Sequence, residues 1–273
     1  MTDRNSNTTS LLPAVANLAR EAGEKILAIY DTDFAVDHKG DDSPLTAADL
    51  AAHETLCAGL ARLTPDLPIY SEEAADIPFA VRSGWRRYWL VDPLDGTREF
   101  VKRNGEFTVN IALIDDHRPI LGVVHIPVKG ITYFAARGQG AFRQDTGKAA
   151  EAIRTRKTRT GALTLAGSRS HATERQNRFF ESLGGKAELH SIGSSLKFCL
   201  VAEGAVDLYP RFGPTSEWDT AAAHCLVVEA GGIVTDLDLR PLEYNRKESV
   251  INPDFLAIGD PGFDWKPYLD QIR

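Results

Sequence analysis

The apolar residues near the start of the chain recur at helical spacing, at Leu11, Val15, Leu18, Ala22, Ile26 and Tyr30. This pattern predicts an amphipathic helix. Pro13 fits the first turn of that helix, where a missing N–H breaks no hydrogen bond. Residues 1–10 are polar and are expected to form a flexible tail. A second helix is predicted over about residues 46–63, between Pro44 and Pro65.

Between residues 88 and 142 the pattern becomes strand-like. Strands are predicted over residues 107–114, 120–126 and 131–136, and the tight connections between them indicate an antiparallel meander. In the rest of the chain strands and helices alternate, with strands at Leu163, Leu189, Val206, Ile233 and Leu256, and helices near 173–183, from Ser194 and around Asp219. The expected fold is a layered α/β sandwich.

Two subdomains are expected to face each other across a cleft in this sandwich. Residues 11–160 would form an α+β subdomain that carries most of the metal ligands, and residues 161–273 an α/β subdomain that carries the substrate contacts and the last metal ligand. A basic run between Lys148 and Arg159 lacks interleaved aromatic residues. We therefore interpret this run as a solvated connection between the subdomains.

The segment WLVDPLDGTREF, residues 89–100, carries the strongest chemical signal. Its apolar beginning predicts a strand that leads Asp92 and Asp95 into a turn at Gly96, and Thr97 follows directly. Two carboxylates on a rigid loop at a strand end can share divalent cations that prefer oxygen ligands. Backbone N–H groups around the turn can hold a phosphate oxygen. This combination favours metal-assisted hydrolysis of a phosphoester.

The segment 89–100 also has two other interpretations, an ordinary turn and the motif of another phosphatase family. Asp-Gly after a strand is an ordinary turn signal. Haloacid-dehalogenase phosphatases place an aspartyl nucleophile in a D-x-D-G-T/V pattern, but here two residues separate the aspartates. Further acidic residues favour the metal interpretation: Asp49 near the start of a predicted helix, Glu72 beside Glu73 after a predicted strand, and Asp219 at the start of another helix.

Five motifs in this order resemble the inositol monophosphatase superfamily. They are T-A-A-D, S-E-E, D-P-L-D-G-T-R-E-F, G-E-F-T-V-N-I-A-L-I and W-D-T-A-A, and the likeness spans roughly residues 11–259. Within the superfamily the chain is most similar to the bacterial 3′(2′),5′-bisphosphate nucleotidase branch. The resemblance implies an inositol monophosphatase-like fold, two or three Mg²⁺ ions, inhibition by lithium and a place in sulfur metabolism. The implied reaction is hydrolysis of 3′-phosphoadenosine 5′-phosphate to AMP and phosphate by metal-activated water.

The resemblance also implies the metal ligands. Glu72, Asp92 and Asp95, with the carbonyl of Leu94, are similar to the ligands of the first two ions, and Asp219 is similar to a distal ligand of the second. Because the metals would lower the pKa of bound water and neutralise charge on the phosphoryl oxygens, no Ser or Cys nucleophile is required.

The catalytic residues follow from the same likeness. Thr97 and Glu72 resemble the pair that positions the attacking water, and Asp49 resembles the carboxylate that holds Thr97. The N–H groups of Gly96 and Thr97 match those that hold the scissile phosphate. Leu94, Asp95 and Asp219 are also expected to touch the substrate.

Substrate choice is expected to depend on the second half of the chain. Ser194, Lys197, Arg211 and His171 match residues that bind the substrate in the nucleotidases. Arginine offers a bidentate fork and lysine a point charge, so both suit a second, remote phosphate. The alternatives are that Lys197 is a solvated helix residue and His171 a helix cap.

Composition limits the classes of partner. The net charge of −7 argues against a nucleic-acid-binding protein, which would present a broad basic face. No run approaches the roughly 20 apolar residues of a spanning helix, and no secretory signal is visible. Three widely spaced cysteines without metal spacing indicate free thiols in a reducing cytoplasm. Peripheral association with the inner membrane, and the choice between monomer and homodimer, stay open.

Two other functions compete with the nucleotidase. An inositol- or sugar-phosphate phosphatase would use the same metal site. Its monophosphate substrate, however, has no second phosphate for Lys197 and Arg211 to bind. A non-catalytic sensor of metal and nucleotide would be expected to lack a ligand, and no ligand is missing from the motifs.

Overall fold

The computed structural model describes residues 2–38, 44–158, 163–167, 174–185 and 187–272. The helices are α1 (Thr2–Tyr30), α2 (Ala47–Leu63), α3 (Phe79–Arg82), α4 (Thr97–Val101), α5 (Glu174–Ser182), α6 (Leu196–Ala202), α7 (Glu217–Glu229) and α8 (Lys266–Leu269). Short 3₁₀ helices span Glu72–Ala74 and Pro127–Lys129.

The strands fall into three sheets. They are β1 (Val36–His38), β2 (Pro44–Thr46), β3 (Ile69–Ser71), β4 (Arg87–Asp95), β5 (Thr108–Asp115), β6 (Arg118–Ile126), β7 (Ile131–Ala136), β8 (Gly140–Asp145), β9 (Glu151–Ile153), β10 (Leu163–Gly167), β11 (Ala187–Ser191), β12 (Leu208–Arg211), β13 (Ile233–Asp236) and β14 (Phe255–Ile258). Strands β1 and β2 form a two-stranded antiparallel sheet.

The larger sheet is a meander whose strands lie in chain order from β3 to β9. The parallel pair β3–β4 is followed by antiparallel pairs throughout. The smaller sheet has the order β11-β10-β12-β14-β13, in which β10 is parallel to both of its neighbours. The predicted antiparallel meander is therefore confirmed, and the strands β8 and β9 extend it beyond the three predicted ones.

Three apolar clusters define the layers. Helices α1 and α2 pack on one face of the larger sheet. Helices α6 and α7 fill the space between the larger and the smaller sheet. Helices α5 and α8 lie on the outer face of the smaller sheet. The order helix, sheet, helix, sheet, helix confirms the predicted layered α/β sandwich, because each sheet face and each apolar helix stripe is buried against the next layer.

Two predictions about local structure are wrong. Helix α1 begins at Thr2, so Pro13 lies inside the helix and residues 2–10, expected to form a tail, are helical. Polar residues can extend a helix that tertiary packing already stabilises, and a polar sequence does not reveal that extension. The basic run after Lys148 is not merely a solvated connection, since it contains β9, and Arg156 pairs with the buried Asp207 at 2.8 Å.

No helix in the described ranges is both long and apolar enough to cross a bilayer.

Candidate metal-dependent active site

The turn after β4 brings its backbone close to neighbouring segments. The strand pairing is irregular between Asp92 and Asp95, and Gly96 follows with φ of 92°. A Cβ on Gly96 would lie 3.1 Å from the carbonyl oxygen of Glu106, so both the left-handed conformation and the close approach require glycine. Helix α4 then begins at Thr97, and the strand end delivers its carboxylates to the cleft.

Three carboxylates meet at this point. Oxygen atoms of Glu72, Asp92 and Asp219 lie within 4.8 Å of one another, and we call these residues the carboxylate cluster. Glu72 starts the 3₁₀ helix after β3, Asp92 lies near the end of β4, and Asp219 lies in the first turn of α7. Three separate elements therefore converge on one position, and a set of only carboxylate oxygens suits Mg²⁺.

The cluster concentrates negative charge at a position where Asp92 is buried and Glu72 and Asp219 are half-buried. Burial, followed by the charges of Glu72 and Asp95, raises the pKa of Asp92 well above its usual range. Burial, followed by the charges of Asp95 and Glu72, does the same to the pKa of Asp219. Buried like charges disfavour the ionised form. A divalent cation would reverse this effect, which is the electrostatic reason to regard the cluster as a metal site.

Asp95 lies outside the cluster and is held by one of its two oxygens. Its Oδ2 accepts hydrogen bonds from the backbone N of Ser195 at 2.6 Å and from the Ser195 hydroxyl at 2.8 Å. The Thr108 hydroxyl and the Asn110 amide also reach Oδ2, each at 3.3 Å. Oδ1 has no hydrogen-bond partner in the described part of the chain. The carboxylate is thus fixed in orientation with one oxygen left for a ligand.

The sequence did not reveal Ser195. Its hydroxyl lies 2.7 Å from the backbone carbonyl of Asp219, 2.8 Å from Asp95 Oδ2 and 2.9 Å from the Asn110 amide nitrogen. This buried serine therefore connects β4, β5 and α7 behind the carboxylates. Asn110 belongs to the G-E-F-T-V-N motif, which was the only sequence signal for this group.

Thr97 and Asp49 are brought together as predicted. The Thr97 hydroxyl lies 3.2 Å from Asp49 Oδ1 and 3.3 Å from the carbonyl oxygen of Leu94. Asp49 is buried, and its Oδ2 accepts from the backbone N of Thr46 at 2.8 Å, which caps helix α2. The cap fixes the carboxylate, and the carboxylate in turn orients the hydroxyl.

A second pocket opens beside the carboxylates. It has a volume of about 140 Å³ and is lined by Ser194, Lys197, Tyr209 and Arg211, among others, and we call it the remote pocket. Asp95, Gly96, Glu99, Arg211 and Asp219 line both this pocket and a larger one of about 520 Å³ that contains Glu72, Asp92 and Thr97. The two spaces are therefore adjacent.

Lys197 is a buried cation in the remote pocket. Its ammonium donates to the carbonyl oxygens of Ser194 at 2.7 Å and Ile192 at 3.3 Å, and it lies 5.4 Å from the centre of the Tyr209 ring. Burial lowers the pKa of Lys197 to about 8, although the charge of Asp95 opposes this shift. The alternative of a solvated helix residue is thus wrong, because only 7% of Lys197 is exposed.

Ser194 and Arg211 complete the described part of the remote pocket. Ser194 has φ of 46°, and its buried hydroxyl has no hydrogen-bond partner among the described residues. Arg211 donates from Nε to the Thr215 hydroxyl at 2.7 Å and from Nη2 to the carbonyl oxygen of Pro214 at 2.9 Å. The predicted contact His171 lies outside the described residues.

The buried histidines have structural partners. His125 Nδ1 lies 3.0 Å from the Thr132 hydroxyl, and His224 Nδ1 lies 2.9 Å from the Tyr244 hydroxyl. Burial lowers their pKa values to about 4 and about 3. Each ring is therefore neutral at pH 7 and has a hydroxyl partner at Nδ1, as expected for a buried structural histidine. Cys57, Cys199 and Cys225 are free thiols.

Comparison with known proteins gives consistent likenesses over nearly the whole chain. A model of the inositol monophosphatase family matches residues 7–259. The 3′(2′),5′-bisphosphate nucleotidase CysQ of Escherichia coli (strain K12) is 52% identical over 248 residues, which cover 90% of this chain and 98% of that protein. CysQ of Haemophilus influenzae is 37% identical over 257 residues, covering 94% and 95% of the two chains.

Solved structures agree with these relatives. CysQ from Bacteroides thetaiotaomicron, described as a bacterial member of the inositol monophosphatase family, superposes with a TM-score of 0.80 and 41% identity over 95% of this chain and 99% of its own. An inositol monophosphatase from Zymomonas mobilis gives a TM-score of 0.76 and 28% identity over 95% and 96% of the two chains. The resemblance read from the motifs and the fold class are both confirmed.

Proposed function

The chain belongs to the inositol monophosphatase family, and on that premise we propose that it is a Mg²⁺-dependent 3′(2′),5′-bisphosphate nucleotidase. Its reaction is removal of the 3′-phosphate of 3′-phosphoadenosine 5′-phosphate, which yields AMP and phosphate. The observation that carries this proposal is the position of the carboxylate cluster directly beside a pocket that holds Lys197 and Arg211.

The carboxylate cluster holds the cations. Glu72, Asp92 and Asp219 would supply oxygen ligands for two or three Mg²⁺ ions, and Asp95 and the carbonyl of Leu94 would supply further ones. Mg²⁺, when bound, would lower the pKa of the attacking water and neutralise charge on the phosphoryl oxygens. The Ser195 hydrogen bonds support this role, because they fix the orientation of Asp95 before any ion arrives.

Thr97 and Asp49 orient the nucleophilic water. The Thr97 hydroxyl has one proton, and when it donates to Asp49 Oδ1 its lone pairs stay available to accept a hydrogen bond from a water molecule. Glu72 would position the same water together with Thr97. No side chain needs to form a covalent bond to phosphorus, since positioning and charge supply the catalysis.

The remote pocket selects the substrate. Lys197 and Arg211 are cations set beside the metal site, and the Ser194 hydroxyl is buried there without a described partner. A nucleotide with two phosphates satisfies all three, because the 5′-phosphate accepts their hydrogen bonds while the 3′-phosphate lies at the carboxylate cluster. The N–H groups of Gly96 and Thr97 hold the scissile phosphate at the start of α4.

The test is release of inorganic phosphate from 3′-phosphoadenosine 5′-phosphate and, separately, from inositol 1-phosphate, with Mg²⁺ present. We expect strong preference for the nucleotide, loss of activity with EDTA and inhibition by lithium. Preference for the inositol ester would keep the metal chemistry and overturn the role of the remote pocket. Absence of release from both substrates, with tight nucleotide binding, would indicate a sensor instead of an enzyme.

A further inference from the structure

A separate pocket of about 550 Å³ lies towards the C-terminal end of α7. Its walls come from α7, from β13 and the segment that follows it, from the start of β6 and from the turn after β7. None of its lining residues belongs to the carboxylate cluster or the remote pocket. The interior is largely aliphatic, with Val234 and Leu242 buried and Val228 43% exposed at the surface. A concave apolar site of this volume is typical of small-molecule binding.

One buried hydroxyl in this pocket has no hydrogen-bond partner among the described residues. Thr235 lines the pocket and is 1% exposed, and its Oγ1 forms no hydrogen bond within the described ranges. Buried hydroxyls are normally paired, so an orphaned one points to a missing partner. The neighbouring His224 is neutral and already engages Tyr244 through Nδ1. The interior therefore offers one unused hydroxyl in an apolar surrounding.

Two arginines line the same pocket from its exposed side. Arg137 forms no ion pair and no side-chain hydrogen bond with the described residues, and Arg118 lies 3.6 Å from Glu243 with its side chain 53% exposed. Glu229 also lines the pocket, and its Oε2 is turned to the backbone N–H groups of Gly138 at 2.8 Å and Gly140 at 3.2 Å. Two arginines and one carboxylate thus line the apolar interior, which leaves an excess of positive charge.

We propose that this pocket is a second, non-catalytic binding site for a small amphipathic anion. The apolar body of the ligand packs against Val228, Val234 and Leu242, and its carboxylate, sulfonate or phosphate group pairs with Arg118 and Arg137. Arginine favours such groups because its planar fork donates two parallel hydrogen bonds. A ligand there would contact α7, the helix whose first turn carries Asp219. The proposal is independent of the reaction catalysed at the other end of that helix.

Two fluorescent probes with one skeleton test the proposal on the full chain. 8-Anilinonaphthalene-1-sulfonate carries an anionic group, and N-phenyl-1-naphthylamine is its neutral analogue. We expect saturable binding of one sulfonate probe per chain, at least about tenfold tighter than the neutral probe, because only the sulfonate can pair with the arginines. Absence of saturable binding, or equal affinity for the two probes, would overturn the proposal.

Three variants locate the binding. Arg137→Ala should weaken binding of the sulfonate probe about tenfold, because the change removes a charged partner of the sulfonate. The affinity for the neutral probe should change by less than about twofold. Val228→Trp should fill the entrance of the pocket and weaken binding of both probes. Because Val228 is exposed at the surface, the change should disturb the fold little. Arg62→Ala, an exposed arginine of α2, is the matched control and should change neither affinity. Sulfonate binding that is unaffected by both pocket variants would place the probe elsewhere and refute the assignment.

Discussion

The carboxylate cluster and the remote pocket are adjacent but differ in the sign of their charge: the cluster consists of carboxylates, and the remote pocket contains two cations. In the cluster, Asp92 is buried and Asp219 is half-buried beside further negative charge, and their pKa values are raised. In the remote pocket, the Lys197 ammonium is held by two carbonyl oxygens and the face of Tyr209. The first region therefore needs a cation to become stable in its ionised form. The second region already contains its cation in a fixed place and needs only an anion.

The largest effect is expected in the carboxylate cluster. Asp92→Asn should reduce phosphate release by more than about 100-fold, because loss of partners behind metal ligands alone costs 10- to 100-fold. The same change should raise the melting temperature of the metal-free protein, since it removes one of the mutually repelling buried charges. Activity assays and thermal melts in EDTA measure both effects. Near-normal activity would remove Asp92 from the metal site.

Ser195→Ala tests the link between the two regions. Ser195 joins Asp95 to the backbone of Asp219, so its loss should weaken Mg²⁺ activation about 10- to 100-fold while the KM for the nucleotide at saturating Mg²⁺ changes little. Thr108→Val is the matched control, because its hydrogen bond to Asp95 is long at 3.3 Å and should matter less. Equal effects of the two variants would contradict a special role for Ser195.

Lys197→Met separates the remote pocket from the cluster. The variant keeps the length and burial of the side chain but removes its charge, so the KM for the bisphosphate should rise about 10- to 100-fold, as for loss of a hydrogen bond to a charged group. Turnover of adenosine 3′-monophosphate, which lacks the remote phosphate, should change little. Lys129→Met, at an exposed lysine, is the control. A uniform loss for both substrates would indicate that Lys197 only supports the fold.

The smallest effect is a pH dependence of substrate preference. Below its pKa of about 8 Lys197 is a cation, and above it the side chain becomes neutral. Preference for the bisphosphate over adenosine 3′-monophosphate should therefore fall as the pH rises from 7 to 9. Taking the ratio of the two substrates cancels pH effects on the metal site. In Lys197→Met the ratio should stay constant with pH, and a decline in that variant would assign the titration to another group.

Sequence predicts the residues of the carboxylate cluster well. Glu72, Asp92 and Asp219 lie in short motifs at the ends of strands and helices. Their residue types and positions in these motifs indicated a metal site. The structure brings their carboxylate oxygens within 4.8 Å of one another. The resemblance to the family implied the pairing of Asp49 with Thr97, whose side chains lie 3.2 Å apart. Metal sites can be predicted in this way because their ligands must be particular residue types at fixed places in the fold.

What was missed depends on contacts between distant segments. Ser195 reaches Asp95 across 100 positions of the chain and Asn110 across 85, and no local pattern marks a serine that supports a carboxylate from behind. Helix α1 was started too late because residues 2–10 show no apolar periodicity. The division of the chain near residue 160 and the individual site roles stay predictions.

The proposed role of the remote pocket is tested most directly by one ratio. It is kcat/KM for 3′-phosphoadenosine 5′-phosphate divided by kcat/KM for adenosine 3′-monophosphate, both at saturating Mg²⁺. The two substrates present the same 3′-phosphate to the carboxylate cluster and differ only in the group offered to the remote pocket. We expect a ratio of at least about 100, corresponding to two charge-assisted contacts, and we expect Arg211→Ala and Lys197→Met each to reduce it strongly. A ratio near one in the unaltered protein would contradict the role of the remote pocket.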